Sequence, residues 1–528
     1  MHRAPIEVSR ENAELVEALL DPEAFDHPVS TTELIETHIS WVILAGDLVY
    51  KVKKPIALDF LDFGSLDRRR HFCEEEVRLN KPWAPGIYLD VVPISVIDGQ
   101  AKVGDGSDPV EYAVRMRRFD QSLRLDQQLE DGKLSVEDMK ELAANIALRH
   151  ERAPHIESTQ RDRVLDLTAK FMRDNVVALE GGIDAAILEP LREWTESEIQ
   201  KQSDLIAERF DAGYVRDCHG DLHLGNLVRL PSGITTFDCI EFNTDLRHID
   251  VMCDLAFLVM DLVARKRSDL AAHFLNRYLE ATGDYGGVQL LNLFFVYRCL
   301  VRAKVAVIRS EERDDPEQRQ TDVDEARFFC ALASRQAQWK NPVLVIMHGL
   351  SGSGKTWVSG QLMAALPAIR IRSDIERKRL FGIGETGSSR SAVGGGIYSR
   401  ETSRKVYAHL LHTCRMIMTS GHSVILDAAF LAQAERAEAL RVARECGCPA
   451  VIVEVGAPAD LLRERISRRM KEEGTVSEAS LDVLEYQLAS AEMLTAEERK
   501  FAIRCDNVDL HDVDFLVGAI QDAASQHA

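Results

Sequence analysis

Gly349-Leu350-Ser351-Gly352-Ser353-Gly354-Lys355-Thr356 decides how the second part of this 528-residue chain folds. It fits G-x-x-x-x-G-K-[ST], the phosphate-binding P-loop. The run before it, Val343-Leu344-Val345-Ile346-Met347, is apolar and short, as a buried strand should be. After it, Val358, Leu362 and Met363 recur at helical spacing. Glycines let backbone N–H groups turn inward around an anion, and the helix N-terminus adds a favourable dipole. In this reading Lys355 reaches the β/γ-phosphates and the Thr356 hydroxyl sits on Mg²⁺. The bland alternative is a Gly/Ser turn before a helix.

Outward toward the C-terminus, Ala368 to Arg372 reads as a second strand, ending at Ser373-Asp374. Ser423 to Asp427 reads as a third strand ending in an acid, a Walker-B-like arrangement. Ala450 to Val455 and Phe501 to Cys505 read as a fourth and a fifth. Helices are expected over Tyr398 to Ser420 and Leu461 to Met470, the latter carrying Arg463, Arg465, Arg468 and Arg469. The Gly- and Ser-rich stretch from Gly382 to Gly396 reads as a loop able to cover a substrate. Alternating strands and helices predict a parallel α/β sheet with ligands at the strand carboxyl ends.

This part resembles P-loop small-molecule kinases: gluconate kinase, chloramphenicol phosphotransferase, zeta toxin and polynucleotide 5′-kinase. The P-loop, the strand-two acid and the arginine-rich helix carry the resemblance, over about 343–515. It implies that Asp374 contacts and deprotonates an acceptor hydroxyl. It implies that Arg465 and Arg469, spaced i,i+4, clamp charge developing on the phosphates. Asp427 would tune Mg²⁺ through water. A helix cap is the competing reading of Asp374, and a solvated helix face that of the arginines.

Toward the N-terminus a second motif stands out, His219-Gly220-Asp221-Leu222-His223-Leu224-Gly225-Asn226. A hairpin pattern follows, turning at Pro231-Ser232-Gly233, and ends at Asp238. Phosphoryl transfer explains these residue types: a carboxylate to take the acceptor proton, and an Asn and a second Asp to hold Mg²⁺. Upstream, residues 1 to about 36 read as a helical lead-in, with Leu15, Leu19 and Leu20 on one face. A β-hairpin over His38 to Lys53 puts Lys51 and Lys53 on one strand face, because side chains alternate. A helix over Asp67 to Asn80 carries Glu74, Glu75 and Glu76. Tyr88 to Ile97 and Glu111 to Phe119 read as strands, and residues 122–210 and 286–339 as mainly helical.

These residues resemble the aminoglycoside phosphotransferase family, a branch of the protein-kinase-like fold, over about residues 30–310. The resemblance implies Asp221 as catalytic base, and Asn226 and Asp238 as metal ligands. Asp254-Leu255-Ala256 matches the family's later D-L-A. Lys51 and Glu76 would be the phosphate-binding lysine and its orienting glutamate, Lys51 fitting the strand pattern better than Lys53. No G-x-G-x-x-G loop precedes Lys51.

The expected fold class is a two-domain α/β chain. Residues 1–335 form a bilobal protein-kinase-like (α+β) domain, and residues 341–528 a P-loop NTPase with a parallel sheet. The net charge of −21 is uneven: from residue 341 onward 22 basic and 24 acidic residues leave −2, so the first part carries −19. Neither part has the broad basic surface of a non-specific nucleic-acid binder. Ten cysteines without a C-x-x-C pair suit a reducing, cytoplasmic setting. No leader and no membrane-spanning run is expected. The resulting expectation is an ATP- and Mg²⁺-dependent tandem phosphotransferase for small hydroxylated acceptors, with GTP left open as the nucleotide. The alternatives are a polynucleotide 5′-hydroxyl kinase in the P-loop domain, with Arg372, Arg377, Lys378 and Arg379 lining its channel, and a regulatory protein with one silent site.

Overall fold

The structure is a computed structural model. It describes residues 10–58, 61–339, 341–384, 387, 395–469, 480–506 and 510–525. Most of the glycine-rich cover loop, 385–386 and 388–394, lies outside the described residues.

Among the described residues the lead-in helix α1 (Arg10–Ala18) ends at Ala18, well before residue 36. The chain turns at Pro22, and residues 32–36 form an edge strand, β1 (Thr32–Glu36), rather than more helix. Proline cannot continue a helix, and pairing with the next strand satisfies the backbone that a short helix would leave open. β2 (Ser40–Ala45) and β3 (Leu48–Lys53) form the expected hairpin, with Gly46 at φ +59° in its tight loop. Helix α2 (Leu66–Asn80) starts at Ser65, whose hydroxyl accepts from Arg68 N–H. β4 (Tyr88–Ile97), β5 (Gln100–Val103) and β6 (Pro109–Arg117) complete an antiparallel sheet of order β1-β2-β3-β6-β4-β5. Helix α2 packs on β6 and β4. The even spacing of Lys51 and Lys53 on β3 then aims both ammonium groups at Glu76 of α2.

The second lobe is helical, as expected, and in it a Ser135/Asp138 capping box starts α3 (Val136–Arg152). Short strands β7 (Val215–Asp217), β8 (Leu227–Leu230), β9 (Gly233–Thr236) and β10 (His248–Asp250) frame the H-G-D loop as two antiparallel pairs. Helix α4 (Val251–Ala264) is buried along almost its whole length. Its two acids are spent on the loop: Asp254 accepts from His219 and Gly220 N–H, and Asp261 from Leu224 N–H. Helices α5 (Ser268–Thr282) and α6 (Val288–Glu312) pack on α4, and α5 also on α3.

In the second domain β11 (Leu344–His348) leads through the P-loop into α7 (Lys355–Ala365). Then come β12 (Ile369–Arg372), α8 (Ser373–Leu380), α9 (Arg400–Thr419), β13 (Val424–Asp427) and α10 (Gln433–Glu445). β14 (Ala450–Gly456), α11 (Ala459–Arg469) and β15 (Ala502–Asp506) follow. The five strands are parallel, in the order β12-β13-β11-β14-β15. The second strand stops at Arg372, so Asp374 lies in the first turn of α8 rather than on the strand, and the N-cap is Arg372. One apolar core runs across both domains, from Leu255 and Phe274 to Leu344, Ile371 and Leu426. Among the described residues no helix is long and apolar enough to cross a membrane.

Candidate active sites

Between the lobes of the first domain, Lys51 Nζ donates to Glu76 Oε1 at 2.9 Å and to Asp238 Oδ1 at 2.6 Å. Lys53 lies behind it, wholly buried, donating to Glu76 Oε2 at 2.8 Å and to Glu241. Burial works against charge on Lys51, yet Asp238, Glu76 and Glu241 outweigh it and hold its pKa well above the ordinary lysine value. Burial likewise opposes ionisation of Glu76, but the two ammonium groups pull its pKa down to about 2. Sequence spacing therefore left Lys51 and Lys53 as competitors, whereas the structure uses both on one glutamate. Only Lys51 also reaches Asp238. Glu241 was missed: its partner Lys53 is far away in sequence, and only the acid following Asp238-Cys239-Ile240 hinted at it.

Asp238 has φ +59°, a left-handed conformation that costs a non-glycine residue of order 1–3 kcal/mol. Its N–H is held by the buried Tyr88 hydroxyl at 3.1 Å. Asn226 Nδ2 donates to Asp221 Oδ2 at 2.8 Å and to Asp221 O at 3.0 Å, which turns the Asn226 carbonyl oxygen the other way. His223 accepts from Gly225 N–H through Nδ1, so its Nε2 carries the proton and faces Asp221 Oδ2 at 3.3 Å. Burial disfavours charge on Asp221, but His223, His219 and Arg298 hold its carboxyl below the usual range. His219 is buried; burial and Arg149 lower its pKa to about 4, so it stays neutral. Its Nε2–H donates to Phe237 O at 2.9 Å. Arg298 on α6 donates to Gly220 O at 3.0 Å and so braces the same loop from below. The Asn226 and Asp238 oxygens form a hard donor set of the kind Mg²⁺ takes.

In the second domain the P-loop glycines are required by geometry. Gly349 has φ +148°, and a Cβ there would stand 2.4 Å from Val455 O. Gly354 at φ +102° caps the start of α7, aiming its first N–H groups into the loop. Leu350, Ser351, Gly352 and Ser353 lie between them. Ser351 N–H is taken by Gln487 Oε1 at 2.8 Å, and Ser353 Oγ is buried without a partner. Lys355 Nζ donates to Gly349 O and Leu350 O, both at 2.8 Å. Burial lowers its pKa to about 8, Asp427 and Asp374 opposing and Arg469 adding to the effect. Asp374 and Arg469 thus both lie within electrostatic reach of Lys355. Arg465 Nη1 donates to Gly352 O and Ser353 O at 3.3 Å, so α11 touches the loop instead of presenting a fully solvated face. Asp427, at the end of β13, accepts from Ser359 Oγ at 2.9 Å. With the exposed Thr356 hydroxyl it offers oxygen donors suited to Mg²⁺. Ser359, one turn beyond Thr356, was not singled out by sequence.

The candidate channel cations do not line an open groove. Arg377 and Lys378 are buried; Arg377 donates to Ile397 O at 2.7 Å and lies over the Tyr398 ring. Arg379 pairs with Glu376 and with the first domain's Glu280 carbonyl.

Residues 121–291 match the phosphotransferase enzyme family, and residues 344–494 match a family described as an AAA domain. Proteins of Mycobacterium tuberculosis and Mycobacterium bovis, described as uncharacterized proteins, are 30% identical over 457 residues, 84% of this chain and 88% of theirs. Among solved structures, choline kinase from Cryptosporidium parvum covers 61% of this chain and 97% of its own at 14% identity, with TM-score 0.36. A sugar kinase from Janibacter covers 36% of this chain and 98% of its own at 21% identity, with TM-score 0.26. The chain belongs to one family with the mycobacterial proteins, and in this chain a kinase-like domain of the phosphotransferase enzyme family is joined to a P-loop kinase domain.

Proposed function

We propose that the chain is a tandem phosphotransferase, with one ATP- and Mg²⁺-dependent site per domain and small hydroxylated molecules as acceptors. The domains run over 1–335 and 341–528. The observation that carries the reading is the double convergence. Lys51 pairs with Glu76 and Asp238, and Phe237, next to Asp238, donates its N–H to the carbonyl of Asn226, which in turn holds Asp221; the P-loop, Arg465 and Asp427 lie at the carboxyl ends of the parallel strands, with Asp374 and Arg469 on the helices α8 and α11 that follow two of them. In the first domain Asp221 takes the acceptor proton as the acceptor oxygen bonds to the γ-phosphorus and the bond to the β-phosphate oxygen breaks, releasing ADP. His223 and Asn226 hold that carboxylate in place. Lys51, oriented by Glu76, binds the nucleotide phosphates, and Asn226 and Asp238 hold Mg²⁺. When bound, the metal neutralises charge on the phosphates. In the second domain the loop amides and Lys355 bind phosphate, Thr356 and Asp427 serve the metal, and Asp374 is the base. Arg465 and Arg469 stabilise the charge in transfer.

The inward use of Arg377, Lys378 and Arg379 weighs against a nucleic-acid end as acceptor, since a polyanion needs cations facing the groove. The test is a radiolabelled-ATP transfer screen against sugars, aminoglycosides, nucleosides and oligonucleotides, run on wild type, Asp221→Asn and Lys355→Ala. Distinct acceptors lost by each variant support the reading. Transfer by wild type to none of these classes above the level of an Asp221→Asn/Lys355→Ala double variant rejects it.

Two further outcomes follow. Asp374→Asn is expected to keep ATP affinity while slowing acceptor phosphorylation at the P-loop site by at least about a hundredfold, the lower range for an acid–base group. An unchanged transfer rate would leave Asp374 a first-turn helix acid with only a dipole role. The second outcome concerns Lys355, whose pKa is about 8 before phosphate arrives. A phosphate beside it favours the ammonium and raises that pKa. ATP binding should therefore take up protons above pH ~8 and weaken as pH rises through that value. Calorimetry in two buffers of different ionisation heat reads the proton count. Equal heats in both, from pH 8 to 9.5, would contradict it.

A further inference from the structure

The second domain's β12 is an edge strand, and its open side is covered by α5 of the first domain. Asn276 of α5 is buried, and its side chain imitates a neighbouring strand. Its Nδ2 donates to Ala368 O at 3.0 Å, and its Oδ1 accepts from Arg370 N–H at 2.6 Å. One turn further on, Glu280 is 4% exposed and holds the two arginines of β12. Oε1 accepts from Arg370 Nη2 at 2.7 Å, and Oε2 stands 3.6 Å from Arg372 Nη1 and 3.9 Å from Arg277 Nη1.

Both arginines touch the P-loop site on their other side. Arg370 Nη1 reaches Thr356 O at 3.4 Å and Ser359 Oγ at 3.5 Å. Arg372 Nε lies 3.9 Å from Asp427 Oδ2, the oxygen that accepts from Ser359. Arg372 and Asp427 are also partners in the strand register, so they cannot drift apart. Arg372 is thus shared by two carboxylates, one from each domain. Asp427 is itself buried, so an ion pair there is weakly screened and strengthens steeply as the gap closes. Removing the Glu280 charge takes away one of the two opposing pulls on Arg372 and shifts the balance toward Asp427, and a guanidinium fork on Asp427 takes the oxygens a cation needs.

We propose that Glu280, supplied by the first domain, is a positioning residue of the P-loop site: it anchors Arg370 and Arg372 and so leaves the Asp427 carboxylate open to Mg²⁺. This rests on the reading of that site as an ATP·Mg²⁺ site.

The test uses the full chain. A photoreactive azido-ATP is cross-linked across a Mg²⁺ titration, and labelling is counted only in peptides from residues 341–528. Glu280→Gln should raise the half-saturating Mg²⁺ by about tenfold or more, as loss of an outer-shell partner typically does. Arg372→Gln alone should leave it at or below the wild-type value, and Glu280→Gln/Arg372→Gln should restore the wild-type value. Asn276→Ala, which loosens the same interface without touching the arginine pairs, should lower the melting temperature and leave the Mg²⁺ midpoint in place. Labelled wild type with an unshifted Glu280→Gln overturns this inference alone. So does a rise in Arg372→Gln, or an equal rise in Asn276→Ala, which would make the effect one of docking. Absence of P-loop labelling in wild type overturns the reading beneath it as well.

Discussion

Asp221→Asn is expected to leave ATP on the first domain and to remove its transfer. The carboxylate touches neither Lys51 nor Asp238, so the phosphate-side contacts survive the change. What would be lost is the group proposed to take the acceptor proton. General acid–base groups contribute roughly 10²–10⁴-fold, and the fall should lie in that range. The substitution is nearly isosteric, and Asn226 and His223 can still meet the side-chain oxygen, so the loop should hold its shape. Initial rates with the first domain's acceptor, on full-length protein, measure it. Activity within about tenfold of wild type would remove Asp221 from the role of base.

Lys355→Ala is expected to have its largest effect on binding. The ammonium lies over the loop, held by Gly349 O and Leu350 O, where phosphate oxygens would compete for it. A charge-assisted contact contributes up to about 3 kcal/mol, so ATP affinity at the second site should fall by about a hundredfold. The first domain's site is built from other residues and should be untouched. Azido-ATP labelling mapped to peptides separates the two: label persists before residue 335 and disappears after residue 341. Label retained in both segments at unchanged affinity would contradict the role of Lys355.

The parts of the fold that sequence made legible are those where a phosphate or a strand–helix alternation dictates local backbone. The P-loop glycines announce themselves because Gly349 and Gly354 need conformations other residues resist. The five parallel strands follow from short apolar runs between amphipathic helices. The H-G-D-x-x-x-x-N spacing likewise brings Asp221 against Asn226 within one loop. The β1 strand was not legible, since an edge strand with one half-buried face has little periodicity of its own and gains its form from β2. Nor were Glu241, Arg298, Asn276 and Glu280. Each is a polar residue on an otherwise ordinary segment, and its meaning lies in a partner far along the chain. From sequence the acid after strand two reads as a strand end; in the structure it lies in the first turn of α8, because β12 stops at Arg372 and the backbone from Ser373 onward pairs i→i+4.

One chain is proposed to hold two nucleotide sites, one in each domain. Calorimetric titration of the full-length protein with ATP and Mg²⁺ tests it most directly. The account predicts two sites in wild type, one in Lys355→Ala, one in Asp238→Ala, and none in the double variant. A single site in wild type, or one that both single variants abolish, would contradict it.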